Sequence, residues 1–316
     1  MGSSAPAPPV GNVRVVGEAM PQVGVVIPTH NHVADTLECL ASLVATGYPN
    51  LVVVVVDNGS TDGSPQRVLE RYPCVHIIPL DRNLGFARAV NAGVAFVLDQ
   101  GCRYVMLMNN DAVVRADAVH SLVAFALEHG GDCILSPKVM HYGCDSVWSM
   151  GSRVRRATFD LLDFGPGRTG RLPLDRSVAV DVVLGCGMFA TDGVFSRIGF
   201  LDEAFFFYYE DIDFSLRAGD AGIDLLTVPW ALVWHKVSES TRDTTYLREY
   251  YRAKASVAFY LKHTSGWHRL LVSGYRLLSA LSFTCRNLIQ GSLKPIAGHW
   301  CGLAAGLARG PALPRG

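Results

Sequence analysis

The sequence predicts an α/β protein: a mostly parallel sheet flanked by helices, followed by a helical extension at the C-terminal end. Three observations carry this. Apolar runs rich in valine and isoleucine recur along the first two-thirds of the chain, and each stops abruptly in polar turn residues. Segments of helical period lie between them. The runs are apolar throughout rather than alternating, as strands buried on both faces are. Ligands of such sheets sit beyond the carboxyl ends of the strands, so those ends are where function is to be read.

The elements follow in order. Residues 23–28 (VGVVIP) form a strand closed by Pro28, with Thr29, His30 and Asn31 after it. Residues 36–45 place Leu37, Leu40, Leu43 and Val44 on one helical face. The β-branched run from residue 51 breaks at Asp57-Asn58-Gly59-Ser60-Thr61-Asp62. A helix over 64–72, a strand over 75–80 and a helix over 84–101 follow, the last stopped by Gly101. Residues 104–108 (YVMLM) are a strand running into Asn109, Asn110 and Asp111, before a helix over 115–128. Residues 140–180 carry no recognisable motif; GPGRTGRLPLD (165–175) reads as a loop flanked by two short strands. A Gly-rich turn and a short helix follow residue 181. An aromatic run, FFFYY, then leads into Glu210-Asp211-Ile212-Asp213, which opens a helix ending near Gly222. The strand DLLTVPWALVWH closes on His235. Three segments result: a flexible tail over 1–20, an α/β domain over 21–245, and a basic amphipathic helical extension over 246–316.

Composition excludes several classes. The chain has 316 residues, 49% hydrophobic and 18% charged, with zero net charge, so a sizeable core is available and no global field points to nucleic acid. Charge is unevenly placed: no Asp or Glu follows Glu249, whereas Arg252, Lys254, Lys262, Arg269, Arg276, Arg286 and Lys294 do. The eight cysteines form no CxxC pair and read as small buried thiols of a reducing compartment. Residues 1–20 lack a basic start and a long apolar run, so they do not read as a secretory signal. No stretch of 18 uncharged apolar residues offers a membrane span. There is no GxxxxGK[ST], no GxGxxG after the first strand and no GxSxG, which weakens P-loop, dinucleotide and α/β-hydrolase readings.

Four places could carry chemistry. Asp57 is placed to accept hydrogen bonds from a base or ribose, and equally to close an Asx-turn. Asn109 to Asp111 could hold Mg²⁺ or Mn²⁺, which take oxygen ligands and are often completed by substrate phosphates; a turn or helix cap fits the same residues. His235 could add an imidazole ligand if its strand joins the same edge, although a lone histidine is more often structural. Glu210, Asp211 and Asp213 exceed what capping one helix needs, and the aromatic run beside them suits a sugar face.

At these residues the sequence resembles glycosyltransferase family 2, inverting nucleotide-sugar transferases of GT-A fold, and within it the rhamnosyltransferase-like branch. The matching stretches are VVIPTHN, VVVVDNGSTDGS, NLGFARAVNAG, MLMNNDAVV, the segment from GCGMFA to RAGDAG, and VPWALVWHKVSES. The resemblance implies a Rossmann-like nucleotide-binding sheet and a metal-dependent transfer of a sugar from a nucleotide-diphosphate donor, dTDP-rhamnose or a UDP-sugar, to an acceptor hydroxyl. It implies that Asp111 binds a divalent cation (Mg²⁺ or Mn²⁺) bridging the donor diphosphate, with His235 as a further ligand. Asn109 and Asn110 belong to the same element, Asn109 beside the ribose or a metal-bound water. Asp57 recognises the base. Pro28, Thr29 and Asn31 line the nucleoside pocket, and Asn83 and Arg88 sit near base or diphosphate. Asp211 is the catalytic base, with Glu210 as the fallback.

One departure stands out. The branch often carries Tyr-Tyr-x-x-Arg-Asn after its core, and here Lys254 and Ala255 occupy the last two positions. Lysine keeps the charge but not the bidentate geometry. The extension, with Trp267 and a series of leucines among basic residues, reads as an interfacial attachment to anionic lipid or as a cap packed on the domain. The expected acceptor is lipid-linked, a polysaccharide or a small molecule, at a cytoplasmic site with peripheral contact on the inner face of the membrane. Two other readings remain: a sugar-phosphate nucleotidyltransferase, and a non-catalytic sugar-nucleotide-binding subunit.

Overall fold

Along the first strand, Val25, Val26 and Ile27 have no exposed surface at all, so neighbours pointing to opposite faces are both covered. That is the signature of a sheet sandwiched between helix layers. The protein is described by a computed structural model covering residues 20–163, 172–236 and 245–309. The expected N-terminal tail and part of the loop before residue 172 lie outside the described residues.

The first half supplies strands β1 (Val23–Thr29), β2 (Leu51–Asp57), β3 (His76–Pro79) and β4 (Tyr104–Leu107), with helices α1 (Val33–Ala45), α2 (Ser64–Arg71) and α3 (Phe86–Asp99) between them. These four strands pair in parallel in the order β3-β2-β1-β4, as the apolar runs predict. Then come β5 (Ala112–Val114), α4 (Ala118–His129), β6 (Cys133–His141), β7 (Val147–Ser149), β8 (Val154–Arg155), β9 (Asp160–Leu161), β10 (Phe189–Thr191), α5 (Asp192–Ile198), α6 (Glu210–Asp220) and β11 (Asp224–His235). The second half of the sheet is mixed. β10 inserts antiparallel between β4 and β6, β11 runs parallel to β6, and β5 closes the far edge antiparallel to β11. Sequence reading misses β5: only three residues long, it lies between the Asn-Asn-Asp turn and the following helix. The two short strands expected to flank the 165–175 loop are not arranged so: β7, β8 and β9 all precede it, and among the described residues between it and residue 180 only an isolated bridge pairs Ala179 with Leu226.

One face of the sheet is covered through Leu40 and Leu43 of α1, Val68 of α2 and Leu122 of α4. The other is covered through Val90 and Val94 of α3, Val194 of α5 and Phe214 of α6. Three helices follow: α7 (Thr245–His263), α8 (Gly266–Ile289) and α9 (Leu293–Arg309). α7 joins the body through Ala255 and Phe259, which share a small core with Phe205, Leu216 and Val154. This accounts for Ala255 in physical terms, because the position is buried apolar packing.

α9 lies against α7 with almost no gap. A Cβ added to Gly298 would sit 2.3 Å from the Tyr246 carbonyl oxygen, and one added to Gly302 would sit 2.2 Å from that of Tyr250. Gly306 meets Lys254 and Val257 one turn further on. Glycine every fourth residue lets two helix backbones touch. Among the described residues no helix is long and apolar enough to cross a membrane.

Candidate active site

The parallel strands end on one edge. Thr29 pairs with Asp57 and Asp57 with Pro79, so these residues stand in a row. Leu107 pairs with Val26, which brings the Asn-Asn-Asp turn level with the end of β1. β11 reaches this edge through a bulge: Val228 pairs with Pro137 and Leu232 with Lys138, leaving residues 229–231 outside the ladder. His235 then pairs with Ala112, the residue after the turn. Its neighbour Lys236 contacts Asp35 at 2.5 Å and Glu38 at 2.6 Å, tying the end of β11 to α1.

The three turn residues point different ways. Asp111 places a carboxylate oxygen 3.1 Å from His235 Nε2. The Asn109 amide lies 3.1 Å from the same nitrogen. Asn110 turns inward instead, donating to the hydroxyls of Thr29 and Thr36 at 3.2 Å each. His235 is buried, stands edge-on to Trp148 at 4.7 Å, and its Nδ1 has no partner among the described residues. Beneath it, burial and then the Asp111 charge push the Cys39 thiol up to about 12, so this thiol is inert.

The Gly185-Cys186-Gly187 segment connects this turn to the acidic helix. Gly187 donates to the Leu107 carbonyl at 2.8 Å. Two residues earlier, Gly185 donates its N–H to Asp211 at 3.1 Å. The other Asp211 oxygen accepts from Ile212 N–H at 2.8 Å. Tyr208 and Tyr209, with φ of 72° and 71°, form the sharp entry to α6. Such values are outliers for bulky residues and mark a backbone held by its surroundings. Burial raises the Asp211 pKa above the ordinary carboxylate range. Burial and then the neighbouring Asp211 charge raise Glu210 much further, and its Oε2 is buried without a partner among the described residues.

Asp213 behaves oppositely. It is fully buried, and its carboxylate meets His263 and Lys262 at 2.8 Å each and Arg217 at 2.9 Å. Burial alone would raise its pKa, but hydrogen bonds from His263 and Lys262, with the charges of Lys262 and Arg217, hold it at about 2. Its role is a clasp between α6 and α7. The aromatic run is divided in the same way. Phe205 is core and Phe206 stacks on Tyr251 at 4.8 Å, while Phe207 stays partly exposed. Of the expected aromatic wall, only Phe205 is fully buried, and Phe206, Phe207, Tyr208 and Tyr209 keep exposed surface.

On the β2 side, Asp57 is buried and accepts from Ser60 N–H at 3.2 Å, a local turn bond. Asn31 donates its N–H to Ser60 Oγ and accepts from Thr61 N–H, locking the two loops together. Sequence reading passed over Asn58. It is buried, accepts from Leu84 N–H at 2.8 Å, and donates to Asn83 and to the Gly85 carbonyl. Its position inside a turn-rich hexapeptide gave no signal. Asn83 is thereby engaged within its loop. Arg88 pairs with Glu203 at 3.2 Å and lines a cleft with Pro79, Leu80, Asp81, Arg82 and Leu84.

A match to the family model described as "Glycosyl transferase family 2" covers residues 24–190, the stretch from β1 to β10. The chain belongs to this family. It is 30% identical over 305 residues to an N-acetylglucosaminyl-diphospho-decaprenol L-rhamnosyltransferase of Mycobacterium tuberculosis, covering 88% of this chain and 95% of that one. It is 24% identical to the dTDP-rhamnosyl transferase RfbF of Shigella flexneri, over 68% and 69% of the two chains. In fold, this glycosyltransferase is similar to S. aureus TarS 1–349 in complex with UDP, at a TM-score of 0.51 and 18% identity, covering 75% of this chain and 65% of that one. It is similar to GalNAc-T7 with UDP, GalNAc and Mn²⁺ at a TM-score of 0.53 and 16% identity, covering 76% and 51%. The expected GT-A architecture is thus shown.

The turn of this glycosyltransferase can be tested for its fit to a divalent cation. Two ligands at right angles about 2.1 Å from one octahedral ion stand about 3 Å apart. Asp111 Oδ1 and His235 Nε2, 3.1 Å apart and both largely shielded from water, have that spacing. Among the described residues no group of three His, Cys, Asp or Glu side chains converges on one point. The residues therefore fit a cation that takes its remaining ligands from a bound diphosphate and water, as Mg²⁺ commonly does.

Proposed function

We propose that the protein transfers a sugar from a nucleotide-diphosphate donor to an acceptor hydroxyl by one inverting displacement, with a divalent cation at Asp111 and His235. dTDP-rhamnose is the favoured donor, a UDP-sugar the second, and a lipid-linked saccharide the favoured acceptor. The named rhamnosyltransferases support the sugar, and the decaprenol-linked substrate of the first supports the acceptor. One observation carries the mechanism. The segment from Gly185 to Gly187 bonds at one end to Asp211 and at the other to the strand that leads into Asp111, which supports reading base and cation residues as parts of one site.

Asp211 takes the proton of the acceptor hydroxyl. Two backbone N–H groups fix its orientation, and the raised pKa makes it a stronger base than a solvated carboxylate. The oxygen so freed attacks the anomeric carbon from the side opposite the leaving group. When bound, the cation neutralises charge gathering on the departing diphosphate. Asn109 orients His235 and reaches toward ribose or a water. Pro28, Thr29, Asn31 and Asp57 line the nucleoside side. Arg88 stands at the open cleft. Asn83 and Asn110 shape the pocket through bonds to other protein groups. Burial and the Asp211 charge both favour the protonated form of Glu210, which limits the negative charge beside Asp211.

The test is thermal unfolding with UDP, dTDP, GDP and CDP, each with and without Mn²⁺. A ligand bound only by the folded state adds about 2.7 kcal/mol at a hundred times its Kd. The expected result is a rise with dTDP, enlarged by Mn²⁺, the Mn²⁺ increment being lost in Asp111→Ala. Equal or absent shifts with all four nucleotides would remove the donor reading.

A further inference from the structure

We propose that α8 lies in the plane of an anionic lipid leaflet, with its outward face seated among the head groups. This deepens the lipid-linked acceptor reading and rests on it for its purpose, though not for its test.

The helix has 24 residues, about 36 Å at 1.5 Å each, and only Val272 and Ala280 along it are buried. Trp267, Leu270, Leu271, Leu278, Leu281 and Ile289 are all exposed, Trp267 at 72%, Leu278 at 67% and Ile289 at 88%. At about 100° per residue these six fall within an arc of about 100°, and Val272, Arg276 and Ala280 centre on the opposite side. The apolar stripe therefore faces directly away from the protein. A solvated helix places its charges there instead.

Its inward side is mounted on the β8–β9 hairpin. Arg276 bonds to the Thr158 carbonyl and to Asp160, Tyr275 donates to Asp160 at 2.8 Å, and His268 lies 3.2 Å from the Ala157 carbonyl. The hairpin's Val154 and Phe159 pack with Leu216 and Ile212 of α6, the helix that begins with Glu210 and Asp211. The hairpin thus connects α8 to the helix that carries Asp211.

Three features select a leaflet as the occupant. No acid follows Glu249, Arg286 is exposed on α8 at the flank of the stripe, and Lys294 is exposed at the start of α9, so this end of the extension complements anionic head groups. The same charge opposes a second copy, since two extensions brought together offer no carboxylate to pair. Trp267 at the start of the stripe is the residue type that settles at a membrane–water boundary. No described helix is apolar enough to span, so the helix lies on the surface.

The experiment is co-sedimentation of the full chain with vesicles of phosphatidylcholine, with and without phosphatidylglycerol, at low and high salt. The wild type pellets with the phosphatidylglycerol vesicles, and salt weakens this. A variant carrying Leu270→Glu, Leu271→Glu, Leu278→Glu and Leu281→Glu partitions at least about tenfold less, with its unfolding midpoint kept because the positions are exposed. A second variant, Arg286→Glu with Lys294→Glu, loses the preference for phosphatidylglycerol. A wild type that stays in the supernatant with both vesicle types overturns the proposal. So does a wild-type dimer that the leucine variant converts to monomer without any vesicle binding. Nucleotide-dependent unfolding, read in parallel, reports the donor site alone. Pelleting without a nucleotide shift keeps this proposal and sinks the donor reading, and the reverse result sinks this one.

Discussion

Asp211 and Asp213 stand two positions apart on one helix, and their surroundings push their carboxyl groups in opposite directions. Asp211 is lifted by burial with only backbone N–H groups to hold it; Asp213 is held at about 2 by Lys262, His263 and Arg217. The first is poised to accept a proton, and the second cannot at working pH. Asp211→Asn is expected to lower transfer by about 10²–10⁴-fold while nucleotide binding persists; unchanged transfer in a radiolabelled-sugar assay would reject Asp211 as base. Glu210→Gln keeps the shape of a side chain whose uncharged form burial favours, so its transfer rate is expected to stay within a few-fold of wild type. Asp213 governs stability instead. A carboxyl depressed from 3.8 to about 2 on folding contributes about 2 kcal/mol above pH 4, and this is lost as pH falls through 2. Denaturant unfolding of wild type and Asp213→Asn between pH 5 and pH 2 checks it: the wild type shows the steeper acid loss, and parallel profiles would remove Asp213 as the clasp.

At the scale of elements, the glycine ladder of α9 makes a prediction whose sign depends on packing. Glycine to alanine inside a helix ordinarily stabilises by about 0.5–1 kcal/mol. Gly274 of α8 has nothing within 4 Å of a new Cβ, so Gly274→Ala follows that rule. Gly302 has the Tyr250 carbonyl oxygen 2.2 Å away, so Gly302→Ala forces α9 off α7 and costs about 1–3 kcal/mol. Unfolding midpoints of the two variants should move in opposite directions. The ladder was not read from the sequence, where a glycine every fourth residue shows only once a partner helix is known. β5 escaped for a related reason: three residues carry too little periodicity, and the bonds that define it come from β11, over a hundred positions away.

At the scale of the whole molecule, Lys236 at the end of β11 ties the mixed half of the sheet to α1 through Asp35 and Glu38. Hydrogen bonds donated to both carboxylates hold the lysine charged against the effect of its partial burial. Lys236→Met leaves two carboxylates facing each other and is expected to cost about 1.5–3 kcal/mol. It should also shrink the Mn²⁺ increment in nucleotide-dependent unfolding, because the end of β11 carries His235. An unchanged increment would show that the turn alone positions the cation residues.

The parallel half of the fold, its helix layers and the polar strand ends were all legible in the sequence. They rest on local physics: apolar runs too continuous for one-sided strands, helical periods between them, and polar residues whose burial demands partners. Thr29, Asp57, Asn109, Asp111 and Glu210 to Asp213 were found in this way. The tertiary structure alone decided which polar groups face outward and which are engaged within the protein. Asn110, Asn83 and Asn58 hold loops, Asp213 clasps α7, and Phe205 is packing. Local pattern marks a residue as polar or apolar, but its partner is chosen by pairings between distant segments. His235 and Asp111 are brought 3.1 Å apart by such a pairing, across 124 positions of chain.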